Sequence, residues 1–167
     1  MATEEYEDDV LVHNYDTSIE EDDEMPTRMH SWLQRRFIEL FVRYLVSGTE
    51  AFPPVTFKGL AQRYTPDISI YPTISTAHFA ESATEELPPL WAIEIISPGQ
   101  TIRDMVKKCE GMIASGVEEC WIVEPANESI TVCTKERRFV RHEGEVLTNR
   151  FLREPLTVEA IFHEELQ

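Results

Sequence analysis

The sequence predicts an α/β or α+β fold, a sheet with helices on its faces. Three observations predict it: two amphipathic helical stretches, apolar extended runs between and after them, and the chain order helix, strands, helix, strands without an internal repeat. With 167 residues, 42% of them hydrophobic, the chain can bury a core of its own, and one globular domain is the expectation.

Residues 1–26 read as an acidic arm and residues 27–167 as the folded domain. The first 25 residues hold 11 of the 31 acids and none of the 15 Lys and Arg, leaving the other 142 residues at a net −5. Such a stretch favours solvation and self-repulsion over packing, although Val10–Val12 could add one edge strand. From Thr27 to about Ser47, Met29, Trp32, Leu33, Phe37, Leu40, Phe41, Tyr44 and Leu45 recur at three- and four-residue steps, which predicts a long helix stopped at Gly48. After Pro53-Pro54 come strand candidates in VTFKG, DISIYP and PLWAIEIIS, with a polar loop from Ser75 to Glu86 between the last two. Ile102 to Ser115 places Ile102, Met105, Val106, Cys109, Met112 and Ile113 on one face of a second helix, ended by Gly116. ECWIVEP, SITVCT, RRFVRH and EVL then predict an antiparallel run of strands, and a last helix spans Thr157 to Glu165.

Composition excludes several functions. A formal charge of −16 rules out binding a polyanion by bulk charge alone. Cys109, Cys120 and Cys133 have no metal-ligand spacing and leave one thiol unpaired in any scheme, which points to a reducing compartment. No run approaches the ~18 apolar residues of a membrane span, so a cytoplasmic protein without membrane partners is expected. His13, His78, His142 and His163 show no zinc spacing. The six glycines form no phosphate loop, no GxSxG elbow occurs, and a hydrolase triad has no residues to stand on.

Among residues that could carry chemistry, Glu94 sits between Ala92, Ile93, Ile95 and Ile96, where an unpartnered carboxylate would cost several kcal/mol. A metal cation, a lysine or, more plainly, an arginine from a neighbouring strand would neutralise it; position 96, on the same strand face, is Ile. Asp67 follows Pro66 at a strand start, where it either stabilises a turn or forms with Glu94 the pair of carboxylates that a hard cation such as Mg²⁺ takes. Thr101 and Asp104 have capping-box spacing, which gives Asp104 a structural job. At about 100° per residue Lys107 points away from the apolar face of its helix, whereas Lys108 lies at its margin and can reach over the sheet, as a helper cation or as a snorkelling lysine. His30 lies close to the apolar face of the first helix, which suits a packing histidine or a site role. Lys135, Arg137, Arg138 and Arg141 are a DNA-contact candidate, against the commoner use of such cations as guards of an edge hairpin.

TPDISIYP, WAIEIISPGQTIRD, the KK pair, GVEECWIVEP and SITVCT, in that order over roughly residues 25–163, resemble the Uma-type restriction endonucleases of the PD-(D/E)XK nuclease superfamily, a family abundant in cyanobacteria. The resemblance implies a restriction-endonuclease-like mixed β-sheet flanked by helices. It implies Asp67 and Glu94 as ligands of Mg²⁺ or Mn²⁺, Lys108 as the catalytic lysine in place of the usual strand lysine, DNA as substrate, and a homodimer as one way to cut two strands. Asp104 matches the family's helix-start Asp. Met112 and Cys120 stand where relatives have Tyr, and Glu124 where Asp is usual. The acidic arm replaces the family's N-terminal hairpin, so the third carboxylate could be Glu20, Glu21, Glu24 or Glu39. Against a metal-dependent endonuclease stands a second reading, a catalytically inactive scaffold of the same fold acting in protein association, which the −16 charge motivates.

Overall fold

The structure, a computed structural model, describes residues 26–79 and 82–163. The arm expected over residues 1–26 lies outside them, apart from Pro26. The first helix, α1 (Arg28–Tyr44), begins where Thr27 Oγ1 accepts a hydrogen bond from His30 N at 3.1 Å. It ends three residues before the expected Ser47, because Leu45 bridges to Leu152 and Val46 N bonds Phe151 O at 2.9 Å. Gly48, at φ +86°, then turns the chain into β1 (Thr49–Phe52).

Six strands form the main sheet in the order β1, β4 (Ile68–Pro72), β5 (Trp91–Ile95), β6 (Glu119–Glu124), β7 (Ser129–Thr134), β8 (Arg138–Arg141). Every neighbouring pair is antiparallel except β5 and β6, which α2 (Ile102–Ala114) joins as a parallel crossover. The mixed sheet with flanking helices is the predicted fold class, and β6 to β8 form the predicted antiparallel run. The strand expected over VTFKG shrinks to β2 (Phe57–Lys58), paired with β3 (Arg63–Tyr64) in a small separate hairpin. A second short pair, β9 (Val146–Leu147) with β10 (Leu156–Thr157), leads into α3 (Val158–Phe162).

The alternation of side chains along the strands divides the interior in two. On one face Ile68, Ile70, Trp91, Ile93, Ile95, Trp121, Val123, Ile130 and Val132 meet Leu33, Phe37, Leu40 and Phe41 of α1, with Leu147, Phe151, Leu156 and Ile161 closing the layer. Trp91 packs edge-on against both Phe41 and Trp121, with ring centroids 5.0 and 4.5 Å apart. On the other face Ala92, Cys120, Ile122 and Cys133 lie under Met105, Cys109 and Met112 of α2, beside Phe57 and Tyr64 of the β2–β3 hairpin. That hairpin docks closely because α2 offers it a glycine: a Cβ on Gly111 would fall 2.1 Å from Tyr64 Oη.

Candidate active site

The register of the sheet brings the two singled-out carboxylates together. Ile68 pairs with Ile93 and Ser69 with Ala92, so one further step sets Asp67 opposite Glu94 at the C-terminal end of β5. Asp67 Oδ2 accepts a hydrogen bond from Ile95 N at 2.7 Å, which fixes its carboxylate across the strand pair.

Glu94 is 3% exposed on the face that α2 covers. Burial pushes its carboxyl up to about 7, against the opposing pull of the Lys108 ammonium, with the nearby Asp67 adding to the rise. Lys108 Nζ lies 2.8 Å from Glu94 Oε1 and donates to Thr65 O at 3.5 Å. At that distance the contact is a charge-assisted pair, and Lys108 is the cation that partly offsets the burial of this carboxylate. The cation beside Glu94 thus comes from α2, and among the described residues no strand arginine pairs with it. Lys107 is exposed, as the helix geometry requires. Asp104 closes the capping box with Thr101, accepting from Thr101 Oγ1 at 2.6 Å and donating its own N–H back at 3.2 Å.

His30 belongs to this site. Its Nε2 is 3.0 Å from Asp67 Oδ1 and its Nδ1 is 3.0 Å from Ser97 Oγ, with both His30 and Ser97 buried. Nothing in the sequence marks Ser97 as part of a Ser, His, Asp chain, yet the structure contains one. The signal lay in SPGQ, a turn pattern directly after a fully buried strand, but the partner of its serine is 67 residues away. The chain is not arranged as a nucleophile elbow: Ser97 is buried rather than presented at the head of its turn, and Ile95 stands where the elbow needs a glycine.

Glu39, one of the four candidates for a third carboxylate, pairs with Arg35 and lies 4.0 Å from Arg36 on the exposed side of α1. It is nine residues, about 13 Å of helix, from His30. Glu20, Glu21 and Glu24 lie outside the described residues. Among the described residues no set of three or more His, Cys, Asp or Glu side chains is arranged to hold a metal ion. Two carboxylates nonetheless suit Mg²⁺ or Mn²⁺, hard ions that bind through one or two carboxylates and keep waters, and Glu94, 3% exposed and only partly offset by Lys108, is a carboxylate that a further cation would stabilise.

The basic cluster is partly neutralised. Arg138 lies 3.7 Å from Glu110 and Arg141 3.2 Å from Glu145, while Arg137 and Arg141 stack on Phe139 at 4.8 and 4.6 Å. It occupies β8 and the turn before it, on an edge strand three strands or about 14 Å from β5. The three cysteines are free and buried; hydrogen bonding with Cys120 and burial hold the Cys109 thiol well above its ordinary range, and the bond to Cys109 with burial does the same for Cys133. Among the described residues no helix is long and apolar enough to cross a membrane.

A mixed sheet with facing carboxylates at the end of its parallel strand, and a helix lysine beside them, places the chain among nuclease-like α+β folds. The chain belongs to the Uma2 family, described as "Putative restriction endonuclease", whose model matches residues 13–162. Its fold is similar to that of a protein from Anabaena variabilis, described as "a putative nuclease belonging to DUF820", with a TM-score of 0.73, 20% identity, and coverage of 83% of this chain and 82% of that one. No curated protein matches the sequence.

Proposed function

We propose that the protein is a Mg²⁺- or Mn²⁺-dependent endonuclease that hydrolyses DNA phosphodiester bonds. The observation that carries the reading is the convergence of Asp67, Glu94 and Lys108 at one end of β5, with Glu94 buried beyond what one lysine offsets. Asp67 and Glu94 would hold the divalent cation, which when bound supplies Lewis-acid stabilisation of phosphoryl oxygens. Ile95 N fixes one oxygen of Asp67 and leaves its other lone pairs for binding. Lys108, 29% exposed at its side chain, keeps a positive charge at the mouth of the site, where it can turn from Glu94 to a scissile phosphate. A homodimer would supply two such sites for two strands, and the unpaired buried cysteines suit a cytoplasmic setting.

One observation favours the second reading, a nuclease fold kept as a scaffold for protein association: both oxygens of Asp67 have protein partners, and Glu94 has Lys108. Calorimetric titration of Mg²⁺ and Mn²⁺ into the wild type and the Asp67→Ala/Glu94→Ala double variant, beside a plasmid-nicking assay, separates the two. Metal binding and nicking that both vanish in the double variant support the nuclease. A wild type that neither binds metal nor nicks leaves the scaffold.

A further inference from the structure

We infer that Ser97 and His30 are positioning residues that set the orientation of the Asp67 carboxylate, and through it the affinity of the site for a divalent cation; the second half rests on the metal-dependent reading above. The argument follows hydrogens along the chain of contacts. An ionised carboxylate offers only acceptors, so the hydrogen between Asp67 Oδ1 and His30, 3.0 Å apart, belongs to Nε2. With that hydrogen on Nε2, the second ring nitrogen, Nδ1, lies 3.0 Å from Ser97 Oγ, whose hydroxyl can partner it from the far side of the ring. The carboxylate thus sets the tautomer, and the buried Ser97 hydroxyl holds the ring in the plane from which Nε2 reaches Asp67.

Ser97 is itself held on three sides. It opens a turn, Ser97-Pro98-Gly99-Gln100, in which Pro at the second position and Gly99 at φ +87° fit a type II turn. Gln100 N donates to Ser97 O at 3.1 Å, and Ser97 N donates to Gln100 Oε1 at 3.0 Å, so the turn is closed by backbone and side chain together. His30 is fixed from the other side by the first turn of α1, where its N–H caps onto Thr27 Oγ1. Gln34, one turn further along α1, donates to Asp67 O at 3.4 Å. Asp67 thus sits between two rigid elements, with Oδ2 on Ile95 N and Oδ1 on the imidazole, and its remaining lone pairs have one direction left to point. Outer partners of this kind commonly change metal affinity about 10- to 100-fold when removed.

The test uses the whole chain and variants that separate position from packing. Glutamine can place its amide N–H near the site of the imidazole Nε2, whereas asparagine reaches only the Nδ1 side, so His30→Gln should keep the Asp67 contact and His30→Asn should lose it. Ser97→Ala removes the hydroxyl that holds the ring at Nδ1. Three readouts apply: Mn²⁺ affinity by calorimetry, the tautomer of His30 by imidazole ¹⁵N shifts in metal-free protein, and the Ile95 amide shift, which reports the Asp67 carboxylate without any metal. The expected result is an Nε2–H tautomer in the wild type, about 10-fold weaker Mn²⁺ binding with a displaced Ile95 amide in His30→Asn and Ser97→Ala, and near wild-type values in His30→Gln. Unchanged Mn²⁺ affinity in His30→Asn and Ser97→Ala, or an unmoved Ile95 amide in both, overturns the inference. A wild type that does not bind Mn²⁺ removes the metal-dependent reading and the affinity half of the inference with it, and the Ile95 amide then decides the orientation of Asp67 alone.

Discussion

The two faces of the central sheet are built from the same strands and differ in kind. Residues 91, 93 and 95 of β5 send Trp, Ile and Ile toward α1, while the intervening Ala92 and Glu94 face α2. In β6 the split repeats, with Trp121 and Val123 on one side and Cys120 and Ile122 on the other. The α1 side is thick and apolar, the α2 side has small residues, thiols and a carboxylate. The difference teaches where stability and chemistry reside: one face supplies the burial that lets the other carry a charge that its surroundings do not fully offset.

The largest expected effect breaks the thick face. Trp121→Ala removes a fully buried ring that packs on Trp91 and should cost about 3–5 kcal/mol, whereas Cys120→Ala next to it should cost about 1 kcal/mol or less. Urea denaturation of both variants checks the contrast, and equal losses would erase it.

A smaller effect sharpens the thin face. Glu94 has a pKa raised from 4.5 to about 7, so between these values the folded chain holds a proton that the unfolded chain releases. Stability should therefore fall as pH rises through this window and stay level above it. Glu94→Gln lacks the charge, and relative to wild type it should gain about 2 kcal/mol between pH 5.5 and pH 8 without divalent metal. Melting in a chelator at the two pH values, both above the isoelectric point of about 4.6, measures this. A gain independent of pH would place the proton elsewhere.

The smallest effect tests the seam between α2 and the β2–β3 hairpin. Gly111→Ala drives a methyl group into Tyr64 Oη and should cost about 1–3 kcal/mol, despite the better helix propensity of alanine. Relief of that loss by Tyr64→Phe, which removes the clashing oxygen, would identify the clash as the cause.

Sequence periodicity revealed the thick face because burial there dictates residue type. The three- and four-residue steps of α1 and the apolar runs of β5, β6 and β7 are read directly as buried surfaces. β1, β3 and β10 were not legible, since strands of two to four residues owe their existence to distant partners: Phe52 is a strand residue because it lies opposite Ser69. In the candidate site, Glu94 stood out as a charge in an apolar run and Lys108 as a lysine at the margin of a helix face, while Asp67, an ordinary strand-start residue alone, drew notice only as the possible partner of Glu94. Ser97 did not stand out, because a serine before Pro-Gly is an ordinary turn residue until His30 is folded against it.

The three buried cysteines turn the thin face into its own reporter. Cys109 on the inner face of α2 and Cys120 and Cys133 on the strands beneath it share this layer, and none belongs to the layer beneath α1. A thiol-alkylating reagent must therefore wait for α2 or its neighbouring strands to lift, and the order in which the three sites are modified in the native protein is a clock for the opening of that side alone.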